Sequence, residues 1–167
     1  MFRKRREDRA ALVERLYDAH GAALYRYTLM LLADHAAAED VVHQVFTTLL
    51  RRSDVIDSEQ NYLRRAVRNE AYSALRRVRS REAPGRPWLE PVVAEGISPE
   101  ERIALERAIR LLPVEQREVI HLHVFEGMTL QETADAADES INTVASRYRY
   151  AIQKLRAALR GVSEGSD

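Results

Sequence analysis

Gly127 to Arg160 reads GMTLQETADAADESINTVASRYRYAIQKLRAALR, and the rest of the chain can be placed from this stretch. Thr129 stands where a helix N-cap would, and Glu132 follows at the spacing of a capping box. Ala134, Ala136 and Ala137 come next, side chains small enough to let another helix cross closely. Asp138 and Glu139 break the apolar pattern, and Ser140 offers a second N-cap. The stretch therefore predicts two helices meeting at a tight turn.

The second of these helices carries more information. Val144, Tyr148, Ala151, Leu155 and Leu159 recur at helical spacing and gather on one side, so this side packs inward. At about 100° per residue, the opposite side displays Asn142, Ser146, Arg149, Tyr150, Gln153 and Arg160. No Asp or Glu occurs from Ile141 to Arg160, whereas Arg147, Arg149, Lys154, Arg156 and Arg160 are all basic. A solvated amphipathic helix could show the same apolar stripe. The missing acids and the short helix just before point instead to a helix-turn-helix that reads duplex DNA.

Net charge gives no such signal, because 26 basic and 26 acidic side chains cancel over 167 residues. Their distribution does, since a phosphate backbone responds to the local field. Arg64, Arg65, Arg68, Arg76, Arg77, Arg79 and Arg81 are offset in their stretch by Glu70 alone. Acids gather instead at Glu95 to Glu106 and Glu132 to Glu139. The absence of cysteine excludes a disulfide framework and a thiolate metal site. Met1 to Arg9 is basic with no apolar run behind it, unlike a signal peptide. No stretch approaches the roughly 18 continuous apolar residues of a membrane span. The expectation is a soluble, cytoplasmic, all-α protein with no membrane insertion.

In the N-terminal half, Leu12, Leu16, Ala19, Ala23, Leu24, Tyr27 and Leu31 form one helical stripe, interrupted by Gly21. Asp34 is placed to cap a second helix with Ala38, Val41, Val42, Val45, Phe46 and Leu49 inward. Glu39, Asp40, His43 and Gln44 are left on its exposed side. Ser53 to Gln60 is polar and aperiodic, a loop from which Ser58 caps a third helix. Leu63, Ala66, Val67, Ala71, Ala74, Leu75 and Val78 form the inner stripe of that helix. Arginines and Tyr72 surround the stripe, and rings interleaved with guanidinium groups suit single-stranded nucleic acid. Half-buried core positions for Tyr62 and Tyr72 would serve structure alone.

Residues 81–97 contain Pro84, Gly85, Pro87, Pro91 and Gly96 without helical period, which reads as a linker carrying an apolar patch around Trp88. Ser98, Pro99 and Glu101 open a new helix with cap, proline and capping box together. Ile103, Leu105, Ala108, Ile109, Leu111 and Leu112 are its apolar positions. Pro113 ends it and opens another, bearing Val114, Val119, Ile120, Leu122 and Val124. The chain thus divides into an N-terminal domain (1–80), the linker, a C-terminal domain (98–162) and a short tail (163–167).

Chemistry is thinly signalled. His35, Glu39 and His43 share a helical face at a spacing that could hold a metal, but no further ligand is evident. His121 and His123 point to different sides of a helix. No glycine-rich phosphate loop or nucleophile elbow occurs. The expectation is no catalytic residue, no metal and no cofactor.

Three motifs in order carry a family resemblance. Ala38-Glu39-Asp40-Val41-Val42-His43-Gln44-Val45-Phe46 resembles the helix by which bacterial sigma factors grip the clamp of RNA polymerase. Tyr62 to Asn69, followed by Leu75-Arg76-Arg77, resembles their promoter-melting helix. Leu112 to Val119, Glu126 to Thr129 and Thr143 to Arg147 resemble the domain that reads the upstream promoter element. With only these two domains, the layout is similar to the extracytoplasmic-function subgroup of the sigma-70 family.

The resemblance implies a protein that binds core RNA polymerase and directs it to promoters, with an anti-sigma factor as a further partner. It implies that Glu39, Asp40, His43 and Gln44 meet the clamp. It places Asn61, Asn69, Tyr72, Arg76 and Arg77 on the downstream (−10) element, with the Ser53 to Asn61 loop holding a flipped base. It places Asn142, Ser146, Arg147, Arg149, Tyr150 and Gln153 on the upstream (−35) element. Some positions depart from the family pattern. His43 and Gln44 stand where Gln and Glu are usual, and Asp138 where a turn glycine is common. Thr133 and Glu139 replace apolar residues expected under the turn, and Ala145 replaces a frequent basic residue. Two other readings lead elsewhere: a stand-alone helix-turn-helix regulator, and a small helical metalloenzyme built on His35, Glu39 and His43.

Overall fold

Side-chain periodicity becomes packing in two separate helical groups. The computed structural model describes residues 2–52, 58–77 and 97–163, and the described residues contain helices and turns with no strand. Residues 81–96 of the predicted linker, Trp88 among them, the stretch Val78 to Ser80 and residues 53–57 of the predicted base-holding loop lie outside the described residues.

The first group comprises α1 (Phe2–Leu32), α2 (His35–Arg51) and α3 (Glu59–Arg77), each packed on the other two. Helix α1 stops because Ala33 turns into the left-handed region at φ 53°, where its N–H still reaches the Leu29 carbonyl at 2.8 Å. Asp34 then caps α2 as its spacing predicts, accepting from the Ala37 N–H at 2.8 Å. The expected inner face of α2 is the buried one, from Ala38 through Leu49.

Helix α1 departs from its expected stripe. Ala19 and Ala23 are exposed, while Val13, Leu29 and Met30 are buried. Tyr27 through Leu31 are buried without a break, so this end of α1 is enclosed on every side, which a single-stripe reading cannot capture. Thr28 is tolerated there because its hydroxyl donates to the Leu24 carbonyl at 2.7 Å. In α3, Leu63, Val67 and Ala71 face the core, with Ala66, Ala74 and Leu75 half-buried.

The second group contains α4 (Pro99–Leu111), α5 (Val114–Val119), α6 (Leu130–Ala137) and α7 (Ile141–Ser163). Ser98 and Glu101 form the predicted capping box on α4. Helix α5 continues through Ile120–Phe125 as a π-helical turn with wider spacing. That widening advances each residue less than an α-helix does, so the expected face slips. Val124 comes out at 50% exposure while His121 is buried. Ile103 and Leu111 of α4, also expected inward, are 45% and 84% exposed, and Glu106 and Glu118 are buried instead. Helices α4, α5 and α6 all pack on α7.

Candidate nucleic-acid interface

The helix-turn-helix is assembled from polar caps around a small apolar centre. Thr129 accepts from the Glu132 N–H at 3.1 Å, and the Glu132 carboxylate accepts from the Thr129 N–H at 2.7 Å. The bonds that the carboxylate accepts from the Thr129 N–H and from the Thr129 hydroxyl hold the Glu132 carboxyl below the usual carboxylate range. Thr133 is wholly buried where an apolar residue was expected, and its hydroxyl donates to the Thr129 carbonyl at 2.9 Å. Val119, Ala134 and Val144 form the centre, with Leu130 and Tyr148 packed against it. The small Ala134 permits the close crossing.

Asp138 makes the turn in the left-handed region at φ 55°, as the common glycine would. Its N–H, and the Glu139 N–H reaching the Ala134 carbonyl at 3.0 Å, satisfy carbonyls at the end of α6. Ser140 then caps α7, accepting from the Thr143 N–H at 3.1 Å. Before α6, Gly127 also takes positive φ, at 70°. His123 on the π-turn donates through Nδ1 to the Met128 carbonyl at 2.6 Å and sets its ring edge-on to Tyr148, centroids 4.8 Å apart. One imidazole therefore ties the segment entering α6 to α7.

With its inner face fixed by Val144, Ala151 and Leu155, α7 turns Asn142, Arg149, Tyr150 and Gln153 outward. Ser146 is half-buried on the same side. These five positions fall within a sector of about 100° on the helix. The Arg149 guanidinium lies 5.5 Å from the Tyr150 ring centroid, so charge and π-face are presented together. Arg147 is different. It lies about 60° beyond that sector, is half-buried, and donates to the Glu139 carboxylate at 2.8 Å.

Helix α3 gathers a second polar face. Asn61, Asn69 and Arg76 are exposed and Tyr72 is half-buried, all on the side opposite Leu63, Val67 and Ala71. The Arg68 guanidinium sits 4.7 Å from the Tyr72 ring centroid, and Arg52 sits 5.4 Å from that of Tyr62. Arg52 also donates to the Tyr62 hydroxyl at 2.7 Å. Arg76 donates to Ser73 at 2.8 Å, and Arg77, further round the helix, pairs with Glu70 at 2.7 Å. The base of the face is anchored by Arg15 of α1, which pairs with Glu59 at 2.7 Å. Hydrogen bonding within that pair raises the Arg15 guanidinium above its ordinary value and lowers the Glu59 carboxyl.

Glu39, Asp40, His43 and Gln44 all stand exposed on α2. His35, the first member of the considered metal triplet, has its Nδ1 engaged by the Tyr25 hydroxyl at 2.6 Å. No group of three His, Cys, Asp or Glu among the described residues is arranged to hold a metal ion. Sequence reasoning missed the Glu139–Arg147 pair, the His123 bridge and the Arg15–Glu59 anchor. Each joins residues across a turn or between helices, where no periodic spacing signals a partner.

The sigma-70 region 2 family model matches residues 16–81, and the sigma-70 region 4 model matches residues 108–157. The chain is 31% identical over 160 residues to the ECF RNA polymerase sigma factor SigL of Mycobacterium tuberculosis, covering 90% of each chain. It is 27% identical over 164 residues to SigK of Mycobacterium bovis, an ECF RNA polymerase sigma factor, covering 91% of this chain and 87% of that one. Among solved structures, the fold resembles the Bartonella quintana sigma factor RpoE in complex with the anti-sigma factor NepR. The TM-score is 0.68 at 22% identity, covering 88% and 96% of the two chains. It also resembles CnrH in complex with the cytosolic domain of CnrY, with TM-score 0.63 at 21% identity, covering 95% and 94%.

Proposed function

Because the chain belongs to the extracytoplasmic-function sigma factors of the sigma-70 family, and so directs transcription initiation with RNA polymerase, we propose that it divides promoter recognition between two domains. The C-terminal one, residues 98–162, lays α7 in the major groove of the −35 element. Asn142, Ser146, Arg149, Tyr150 and Gln153 read it, and Arg147 stands at the flank. The N-terminal one, residues 1–80, captures the opened −10 strand on Asn61, Asn69, Tyr72, Arg76 and Arg77. Its α2 meets the polymerase clamp through Glu39, Asp40, His43 and Gln44. Like the rest of its family, the chain is not an enzyme.

One observation carries this reading. Val144, Ala151 and Leu155 are consumed by packing, while the acid-free opposite side of α7 stands in solvent. A packed back and a polar, basic front is what a groove-reading helix requires. An anti-sigma factor is a further partner on this reading, in keeping with the RpoE–NepR complex whose fold this chain shares. No described helix is long and apolar enough to cross a membrane. We place the protein in the cytoplasm, where polymerase and promoters are.

The test is run-off transcription from genomic fragments with core polymerase, with and without the chain. The chain should add discrete initiation sites, and Arg149→Ala should weaken them by about 5- to 150-fold, the loss of about 1–3 kcal/mol of base readout. Identical initiation sites in both lanes would refute the assignment. A stand-alone regulator would instead bind duplex tightly without polymerase.

A further inference from the structure

The Arg147–Glu139 pair spans the turn of the helix-turn-helix. Its partners are eight positions apart, with N and O 2.8 Å from each other. Both groups are partly screened from solvent, with the Arg147 side chain 22% exposed and that of Glu139 34%. Arg147 leaves α7 about 60° beyond the outward sector, so its reach is to a flanking sugar–phosphate strand and not to base edges. Phosphate contacts carry no sequence information. A free arginine there would strengthen binding to any duplex.

We propose that Glu139 is a positioning residue for promoter discrimination: it holds the Arg147 guanidinium against the turn and away from the phosphates of unselected DNA. The inference rests on α7 being the duplex-reading helix. In a complex fixed by base contacts, the position of α7 is set and Arg147 keeps its carboxylate partner. In a loose, unselective complex, the helix shifts to gather phosphates, and the arginine is then withheld. Arg149, on the outward face, lies near the Tyr150 ring and remains available to the groove. A single hydrogen bond joins the pair, so it opens readily once its charge is removed.

Glu139→Gln keeps the shape of the side chain and removes its charge. The probes are duplexes enriched from a random-sequence library by the wild-type holoenzyme, and the unselected library itself. Binding of holoenzyme to each is titrated against salt. On unselected duplex the variant should bind about three- to tenfold tighter at low salt, with the slope of log affinity against log salt steeper by about 0.9, one added phosphate contact. Affinity for the enriched duplex should stay within about twofold, because no base contact changes. Adding Arg147→Ala to the variant should return the slope on unselected duplex to its wild-type value, which separates the charge effect from any loss of folding.

An unchanged slope in Glu139→Gln overturns the proposal, as does an equal gain on both duplexes. Arg149→Ala is run alongside. If it leaves binding to the enriched duplex intact, the assignment of α7 itself fails. If it weakens that binding while Glu139→Gln alters nothing, only the role of Glu139 falls.

Discussion

Replacing Ala33 by glycine should stabilise the first helical group, and the size of the gain can be worked from one dihedral angle. Ala33 closes α1 at φ 53°, in the region where a β-carbon crowds the following carbonyl. That conformation costs an L-residue about 1–2 kcal/mol. Glycine removes the cost but returns about 0.4–1 kcal/mol through the greater freedom of the unfolded chain. At the middle of these ranges the net gain is about 0.8 kcal/mol, and a domain of this size gains about 4–8 °C in Tm per kcal/mol, so the expected rise is about 3–6 °C. Asp138 supplies an internal control at nearly the same angle, φ 55°. Because aspartate is enriched in this region, Asp138→Gly should gain less than Ala33→Gly. Thermal melts by circular dichroism, with hydrogen exchange on peptides from α1 and α2, read the effect in the helices concerned. A lower Tm for Ala33→Gly, or reduced protection across α1 and α2, would refute the strain argument.

Three further outcomes can be checked. Gly21 lies buried in α1, and a β-carbon there would meet Tyr17 Cδ2 at 3.4 Å, an ordinary contact; Gly21→Ala should therefore stabilise by up to about 1 kcal/mol in a urea melt. The Glu132 carboxyl is lowered by its bonds to Thr129, so its contribution is complete above the unfolded carboxylate value and fades as pH falls through the folded one. Exchange protection at the start of α6 should drop in that acid window in the wild type and stay level in Glu132→Gln. His123→Phe keeps a ring against Tyr148 but loses the bond to Met128, and should cost about 0.5–1.5 kcal/mol. His123→Ala loses both contacts and should cost about 0.5–1.5 kcal/mol more, which a pair of urea melts would resolve.

Where a residue's role depends on helical period or on a cap a few residues away, the chain itself announced it. The buried faces of α2 and α7, the capping boxes at Ser98 and Thr129, and the outward set on α7 are local consequences of angle and spacing. The order of three motifs likewise points to a family without reference to the packing. Other features depend on which helix lies alongside, and those only the packing decided. Ala19 and Ala23 look inward on a wheel, yet stand in solvent, while Leu29 and Met30 are enclosed with Tyr27 and Leu31. Val124 leaves its stripe because α5 widens into a π-turn, and no periodic rule foretells where a helix changes its winding. Arg147 reads as one more basic residue until the turn at Asp138 brings Glu139 against it. Spacing along one helix is fixed by covalent geometry, but a partner across a turn is fixed by the fold, so the reading face was visible in the residues and the charge that restrains its flank was not.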